Sequence, residues 1–304
     1  MRVFLTGGTG FVGTPLTRGL AAQGHQVTIL TRSANKQRIL PQGVRIIEGN
    51  PIERGPWQEE IAGHDIIINL AGASIFRRWT NKAKKSIRES RILCTRNLVE
   101  AISGRSGKEA MFFSTSAVGY YGSCGDEELD EGGLPGEGFL ASVTREWEAE
   151  ALKAERFGTR VLVCRFGIVL GSEGGALAQL VPLFRWYLGA PLGSGRQWFS
   201  WIHEQDLIDA YLFLIGTEEI SGPINFTSPN PVRNKDMTKA LGEALKRPTF
   251  MPSVPGFMIR LLKGEFGSVL LEGQKVIPIK LLQKGYQFRF ATIKEALTNL
   301  LQET

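Results

Sequence analysis

Histidine and cysteine are scarce in this sequence, with three of each among 304 residues. Cys94, Cys124 and Cys164 stand far apart with no metal-ligand spacing, and the histidines are equally scattered. We therefore expect no metal site. Isolated cysteines are typical of free thiols in a reducing compartment, which predicts a cytoplasmic protein.

Long apolar runs are absent as well. No stretch approaches the roughly 18 apolar residues of a membrane span, and the first strand follows Met1 so closely that we expect no signal or transit peptide. Lysine and arginine outnumber aspartate and glutamate by 36 to 30. However, the sequence has no basic tail and no interleaved aromatic and basic motif. We therefore expect phosphate-bearing small molecules as ligands, rather than nucleic acid.

The first 33 residues contain a recognisable unit. A short apolar run at 3–5 predicts a strand buried on both faces, and a second apolar strand is expected at 26–30. Between them, a glycine cluster leads into Phe11, Val12, Leu16 and Leu20, which recur at helical spacing. A strand, a glycine turn, a helix and a strand within about 30 residues form the βαβ dinucleotide-binding unit.

The glycines of this unit have the spacing G-x-x-G-x-x-G. Gly7 allows a tight turn after the strand, Gly10 lets the backbone approach a pyrophosphate, and Gly13 lets the helix pack closely on the sheet. The N-terminus of the helix then offers free N–H groups to the phosphates. The alternative is a glycine-rich turn that binds no ligand.

An acidic residue is missing where an NAD site usually has one, about 20 residues beyond the glycines. No acid follows the glycine cluster before Glu48; Arg32 and Ser33 occupy this place, and Lys36 and Arg38 come shortly after. A guanidinium can hold a 2′-phosphate through two hydrogen bonds, whereas a carboxylate would repel it. The sequence therefore predicts NADP(H) rather than NAD(H). The alternative is a solvated basic loop.

The length favours one α/β unit with a smaller appended lobe. We predict an α/β fold, a Rossmann-type doubly wound parallel sheet with a smaller C-terminal α+β substrate lobe. The NADP-binding domain is expected at 1–170, with 200–228 returning to the sheet, and the substrate-binding lobe at 171–199 and 229–304. Further strands are expected at 44–48, 65–70, 111–114, 161–163 and 224–227, and helices at 57–61, 80–103, 137–157, 176–188, 205–215, 234–245, 255–262 and 292–301.

Small residues follow the nearly all-apolar fourth strand: Ala71, Gly72 and Ala73. Such residues leave space for a ligand, because open α/β sheets bind ligands at the carboxyl ends of their strands. The alternative is close helix packing. The first half of the next helix is basic, which is usually a solvated face. Otherwise it contacts cofactor phosphates or an anionic substrate, and Arg91 is the best candidate for this contact.

The fifth strand carries three hydroxyl residues, Ser114, Thr115 and Ser116, and the tyrosines Tyr120 and Tyr121 follow. This combination at the carboxyl end of a strand indicates a site. The alternative is a serine-rich turn on which the tyrosines pack.

Three stretches together carry a family resemblance: GGTGFVG at 7–13, the hydroxyl-bearing fifth strand, and RFGIVLG at 165–171. They resemble the extended short-chain dehydrogenases/reductases. More closely, the sequence is similar to an atypical branch of NAD(P)-dependent epimerase/dehydratase-like proteins, whose members in cyanobacteria and plastids often carry the label cell division inhibitor. Matching stretches run the whole length: NLAGA (69–73), SR (90–91), SAVGYYG (116–122), FLASVTREWE (139–148), GSGRQWFSWIHEQDL (193–207) and GQKVIP (273–278).

The resemblance implies that Ser116 is the catalytic hydroxyl. The family also has Tyr-x-x-x-Lys on the next helix, where the tyrosine exchanges the proton and the lysine lowers its pKa. Aligning Glu148 with the glutamate that usually follows this lysine puts Leu140 and Thr144 in the two positions. Neither side chain can do that chemistry.

An enzyme of this kind would therefore need another proton donor. Tyr121 or Tyr120 could supply a proton, and His203 could act as an acid or base with a pKa near neutrality. The alternative for each is a structural role. The resemblance places Arg196, Trp201 and His203 near the substrate, and we expect Tyr120 there too. The cofactor residues expected from motif and resemblance are Gly7, Thr9, Gly10, Phe11, Val12, Gly13, Arg32, Ser33, Leu70, Ala71, Gly72, Arg91, Ser114, Arg165, Phe166 and Ile168.

Two functions fit these expectations. The first is an NADP(H)-dependent oxidoreductase or epimerase-like enzyme acting on an unidentified small carbonyl or sugar-type substrate. The second is a catalytically weak NADP(H)-binding regulatory protein that acts through a protein partner. The intact Ser116 beside two tyrosines favours the first, and the missing tyrosine–lysine pair favours the second.

Overall fold

The computed structural model describes residues 1–33, 41–105 and 109–302. Its strands are β1 (Arg2–Thr6), β2 (Gln26–Thr31), β3 (Val44–Glu48), β4 (Ile66–Asn69), β5 (Ala110–Ala117), β6 (Glu128–Leu129), β7 (Thr159–Phe166), β8 (Ile168–Gly171), β9 (Trp198–Phe199), β10 (Trp201–His203), β11 (Gly222–Phe226), β12 (Val232–Arg233) and β13 (Lys275–Val276).

The helices carry the chain between these strands. They are α1 (Gly13–Ala22), α2 (Trp57–Glu60), α3 (Asn81–Ser103), α4 (Phe139–Leu152), α5 (Gly175–Arg185), α6 (Glu204–Ile215), α7 (Asn234–Ala244), α8 (Gly256–Lys263), α9 (Phe266–Leu271), α10 (Ile279–Gln283) and α11 (Ile293–Gln302). Short 3-10 turns lie at Ile61–Gly63, Val118–Tyr121 and Lys153–Phe157.

A seven-stranded sheet forms the centre of the described ranges, in the order β3-β2-β1-β4-β5-β7-β11. Every neighbouring pair in it is parallel. The order reverses between β1 and β4, and this switch point defines a Rossmann-type doubly wound sheet. The predicted fold class is confirmed.

Both faces of the sheet are covered, as all-parallel sheets require. Side chains alternate along β1, so that Val3 and Leu5 enter the core under α1 and α6 while Phe4 enters the core under α3 and α4. The predicted strands all occur, with ends that differ by up to three residues. The carboxyl ends of the parallel strands therefore meet at one edge, which is where the predicted site residues lie.

A separate apolar cluster lies in the later part of the chain. It joins Leu170, Leu177, Trp201, Leu241 and Leu297. Three small strand pairs support this region: β8 with β10, β9 with β12, and β6 with β13. The sequence did not predict them, because strands of two to four residues show no period of their own.

The predicted division into a domain of 1–170 with 200–228 and a lobe of 171–199 with 229–304 stays a prediction. Strand β11 does return to the sheet, beside β7. Within the described ranges, no helix combines the length and the apolar character needed to cross a membrane.

Candidate functional site

The glycine turn after β1 packs against the end of β4. Gly7 has a φ of +72°, and a Cβ there would lie 2.7 to 2.9 Å from backbone atoms of Leu70 and Ala71. A Cβ on Gly13 would overlap the carbonyl oxygen of Gly7. Glycine is therefore needed at both positions for the turn to close.

Gly10 differs from these two glycines, because it faces open space. A Cβ there would meet only the carbonyl oxygen of Gly7, at 3.2 Å. The backbone N–H of Gly10 donates to that same oxygen at 2.9 Å, which tightens the turn. No side chain caps the N-terminus of α1 at Val12. The turn and the uncapped helix end thus form a cradle of the kind that binds a diphosphate.

Asn69 holds this cradle to the sheet. Its Oδ1 accepts hydrogen bonds from the Thr6 hydroxyl at 2.7 Å and from the Ala71 N–H at 3.3 Å. Its Nδ2 donates to Thr95 Oγ1 at 2.9 Å. One buried amide therefore joins the end of β1, the loop after β4 and helix α3. The sequence analysis did not identify this residue, although a polar residue at the end of an apolar strand is a signal for it.

Arg32 lies just beyond the carboxyl end of β2 and is exposed. The adjacent Ser33 is exposed too, and its carbonyl accepts a weak hydrogen bond from Thr31 Oγ1 at 3.4 Å. In the part of the chain that the structure describes, no carboxylate pairs with Arg32. Lys36 and Arg38 lie outside the described residues. Arg32 is thus free to receive a phosphate group at this edge.

Phe11 connects the cradle to the loop after β8. A Cβ on Gly174 or Gly175 would come within 2.6 to 2.7 Å of its ring. Glycines in that loop therefore let the aromatic ring lie flat against its backbone. This contact closes one side of the crevice. Thr9 and Val12, beside Phe11, are partly buried.

The hydroxyls of β5 differ in their surroundings. Ser114 Oγ is buried and has no hydrogen-bond partner among the described residues. Ser116 Oγ is buried as well, but it donates to Glu148 Oε1 at 2.6 Å. An unpartnered buried hydroxyl is costly. Ser114 is therefore a fitting partner for a bound group at this edge.

Glu148 and Arg165 form a buried ion pair. Arg165 donates from Nε and Nη2 to the two carboxylate oxygens, at 2.9 and 2.8 Å, and the side chains are only 6% and 2% exposed. The guanidinium also lies 3.6 Å from the centre of the Tyr120 ring. Arg165 was expected along the cofactor. The pairing with Glu148 and the burial argue against a contact between its side chain and a ligand, and the expectation stays a prediction.

Tyr121 is also part of this network. Its hydroxyl donates to Asn225 Oδ1 at 2.8 Å and accepts from Arg165 Nη1 at 2.9 Å. The ring is fully buried, and burial raises the pKa of Tyr121 to about 12. A phenol so placed holds its proton at neutral pH. Its burial and its two hydrogen bonds argue against proton donation by Tyr121, which stays a prediction.

His203 is likewise structural. Its Nδ1 accepts from the Gln205 N–H at 3.0 Å, its Nε2 lies 3.1 Å from Asn299 Oδ1, and its ring stacks on Phe290 at 3.9 Å. Burial lowers the pKa of His203 to about 4. The expected pKa near neutrality is wrong, since the desolvated ring remains neutral.

Trp201 and Arg196, which were both expected near the substrate, differ in exposure. Trp201 is fully buried, and its Nε1 donates to the Asn230 carbonyl at 3.1 Å. This burial argues against the expectation that Trp201 faces a substrate, which stays a prediction. Arg196 is exposed. Tyr120 is partly buried, whereas Phe166 is half-buried and Ile168 exposed beyond β7. These side chains remain open to a ligand.

The two positions of the missing acid–base pair lie on α4. The hydroxyl of Thr144 donates to the Leu140 carbonyl at 2.9 Å, within the helix. Thr144 is also buried. Neither position supplies a proton or a cation, as the sequence predicted.

Comparison with known proteins gives the family. The model of the NAD dependent epimerase/dehydratase family matches residues 3–226, and that of a domain of unknown function, DUF1731, matches residues 254–300. The epimerase family protein SDR39U1 homolog of Arabidopsis thaliana, described as chloroplastic, is 42% identical over 306 residues, which cover 99% of this chain and 87% of that protein.

Solved structures agree. The crystal structure of human epimerase family protein SDR39U1 (isoform 2) with NADPH matches with a TM-score of 0.87 and 33% identity, and the match covers all of both chains. UDP-glucose 4-epimerase from Thermus thermophilus, in complex with NAD, matches with a TM-score of 0.76 over 99% of both chains. At 19% identity, this second match shows the fold alone.

We expect Glu148→Ala to lower the free energy of unfolding by about 3–5 kcal/mol, because it leaves the buried Arg165 without a counter-charge. Glu146→Ala is the matched control on the same helix: Glu146 pairs with Arg88 at the surface, where both side chains are at least 36% exposed. That control should cost less than about 1 kcal/mol. Urea unfolding measures both, and equal losses would contradict the role of the buried pair.

A second prediction concerns pH. Because the pKa of His203 is about 4 in the folded protein and near 6.5 in the unfolded chain, the unfolded state binds its proton more tightly. Stability contributed by neutral His203 is complete above pH 6.5 and is lost as the pH falls toward 4. His203→Gln should reduce the loss of unfolding free energy between pH 7.5 and 4.5 by about 2–3 kcal/mol. Identical pH profiles for the two proteins in urea unfolding would refute the assignment.

Proposed function

Because the chain belongs to the NAD dependent epimerase/dehydratase family, we propose that it is an NADP(H)-binding oxidoreductase or epimerase-like enzyme that acts on a small carbonyl or sugar-type substrate. The observation that carries the proposal is the open cradle at Gly10 combined with the exposed Arg32, which pairs with no carboxylate among the described residues. The crystal structure of human SDR39U1 with NADPH supports the choice of cofactor. A bound cofactor would supply or accept the hydride.

The residues present fit such a cofactor. The cradle between Gly7 and Gly13 and the N–H groups of α1 would hold the diphosphate. Arg32 and Ser33 would hold the 2′-phosphate. On the other side of the switch point, the nicotinamide half would lie along Leu70, Ala71, Gly72, Ser114, Phe166 and Ile168.

Proton transfer is the unusual feature of the proposed site. Ser116 directs its proton to Glu148, so its oxygen is left as a hydrogen-bond acceptor that can orient a substrate hydroxyl. Among the residues expected to donate a proton, Tyr121 and His203 are buried, whereas Tyr120 is only partly buried. The guanidinium of Arg165 lies against the Tyr120 ring. Arg196 would face the substrate from the opposite lobe. The proposal therefore relies on orientation by Ser116 and on Tyr120 or water for the proton.

The alternative, a weakly catalytic NADP(H)-binding protein that acts through a protein partner, depends on Leu140 and Thr144 in place of the acid–base pair. The burial of Tyr121 and His203 also disfavours these two residues as proton donors. Neither observation identifies a partner. A cytoplasmic location and the absence of nucleic-acid binding stay predictions.

The cofactor assignment is tested by binding. We expect wild-type protein to bind NADPH at least about tenfold more tightly than NADH, because charge-assisted hydrogen bonds from Arg32 to the 2′-phosphate are absent with NADH. Arg32→Ala should remove this difference, whereas the exposed Arg18→Ala on α1 should keep it. Isothermal titration calorimetry measures each affinity. Equal binding of both cofactors by the wild type would sink the assignment.

The enzymatic assignment is tested by turnover. We expect NADPH oxidation, followed by absorbance, with at least one member of a panel of small carbonyl compounds and sugar nucleotides. Ser116→Ala should lower kcat at least about tenfold through loss of substrate orientation, while the exposed Ser123→Ala should not change it. Turnover with no panel member, or turnover indifferent to Ser116→Ala, would favour the regulatory alternative.

A further inference from the structure

Helix α3 carries six cations, and the two that make no ion pair with a described residue are the exposed Lys82 and the partly buried Arg91. Four of them make ion pairs at 2.5 to 3.7 Å: Lys84 with Glu265, Lys85 with Glu89, Arg88 with Glu146, and Arg96 with Glu150. Arg91 makes none with any described residue, although it is more buried than Lys85, Arg88 and Arg96. The side chain that most needs a counter-charge thus lacks one.

Arg91 is nevertheless held in place. Its Nη1 donates to the Ala73 carbonyl at 3.1 Å and to the Ile87 carbonyl at 3.0 Å. The guanidinium lies 5.3 Å from the centre of the Trp147 ring. Burial lowers the pKa of Arg91 to about 10, so it stays charged at neutral pH. Nε and Nη2 have no hydrogen-bond acceptor among the described residues, which leaves one edge of a preoriented fork available.

The available edge lies at the ligand-binding end of the sheet. A Cβ on Gly72 would be 3.3 Å from the guanidinium carbon of Arg91 and 3.4 Å from Nη2. Gly72 is exposed, immediately beyond β4. Glycine at this position therefore leaves the approach to the guanidinium clear from the crevice.

The sheet order separates Arg91 from the cradle and from Arg32. Arg32 follows β2, and the cradle lies at β1, on one side of the switch point. Arg91 lies between the loop after β4 and helix α4, on the other side. A doubly wound sheet has two mononucleotide-binding halves. Arg91 lies in the half of the sheet where the nicotinamide and the substrate would meet.

The position also relates to the missing acid–base pair. Trp147, which contacts Arg91, lies one turn after Thr144 on α4. The helix supplies no cation at 144, but α3 places the Arg91 guanidinium against Trp147, one turn further along α4. A positive charge is thus retained in this part of the crevice, with a geometry suited to two oxygens rather than one.

We propose that Arg91 binds an oxyanion of the substrate, so that the substrate is a small carboxylate- or phosphate-bearing carbonyl or hydroxy compound. This inference rests on the proposed NADP(H)-dependent function. The cofactor diphosphate is the other possible source of the oxyanion. The cradle at Gly10 already provides a binding site for the diphosphate. The substrate oxyanion, in contrast, has no other proposed binding site, and we therefore assign it to Arg91.

The test measures two affinities separately by calorimetry: NADPH for the free protein, and oxalate or inorganic phosphate for the protein saturated with NADP⁺. The variants are Arg91→Gln and Arg91→Lys, which keeps the charge but loses the fork. Arg88→Gln is the matched control, one turn earlier on the exposed side of α3. Thermal unfolding confirms that each variant is folded.

We expect Arg91→Gln to weaken oxalate or phosphate binding at least about tenfold and to change NADPH affinity less than about twofold. Arg91→Lys should fall between wild type and Arg91→Gln, and Arg88→Gln should match wild type. A tenfold loss of NADPH affinity in Arg91→Gln would assign the oxyanion to the cofactor and overturn the inference. Failure of the wild-type complex to bind either anion, or binding unchanged in Arg91→Gln, would overturn it too. Wild-type protein without affinity for NADPH would instead remove the proposed function and this inference together.

Discussion

The contact between the glycine turn after β1 and the backbone at the end of β4 governs the rest of the site. Gly7 approaches Leu70 so closely that a single Cβ would not fit, and this contact sets the width of the crevice at the switch point. Asn69 fixes the same junction from within by bonding to Thr6 and to the Ala71 N–H. Because these bonds are buried, the loop after β4 cannot shift without leaving polar groups unpaired. The positions of the cradle, of Gly72 and hence of the approach to Arg91 all follow from it.

A second constraint explains why several polar residues near the site are unavailable for chemistry. Burying Arg165 requires a full set of acceptors, and Glu148 with the Tyr121 hydroxyl provides them. Asn225 then satisfies Tyr121 from β11, and it also donates to the Ile277 carbonyl at 3.0 Å. One continuous network thus links the sheet to the C-terminal segment. Its members join β5, α4, β7 and β11 to the segment around Ile277, and they satisfy one another's polar groups.

The sequence identifies the parts of this arrangement that are local. The βαβ unit, the strand ends and the hydroxyls of β5 each lie within a few residues, so spacing and glycine placement are enough to predict them. Burial of a particular side chain is not local. Asn225 and Asn299, the amide partners of Tyr121 and His203, are 104 and 96 residues away in the chain, and no pattern around either residue indicates them. Glu148 does carry a signal, because an acid on the apolar stripe of α4 beside Val143, Trp147 and Ala151 points to a buried ion pair.

The distribution of unpaired cations gives the site its chemical character. Arg165 is paired with Glu148 inside the protein. Arg32 and Arg91 pair with no carboxylate among the described residues, and they lie on opposite sides of the switch point. A crevice with such a guanidinium at each end suits ligands that carry negative charge at each end, because an anion recovers part of the solvation that Arg91 loses on burial. With a neutral substrate, the 2′-phosphate of the cofactor would still neutralise the charge of Arg32, but the charge of Arg91 would have no counter-charge. The same electrostatic argument that favours NADP(H) over NAD(H) therefore also favours an anionic substrate over a neutral one.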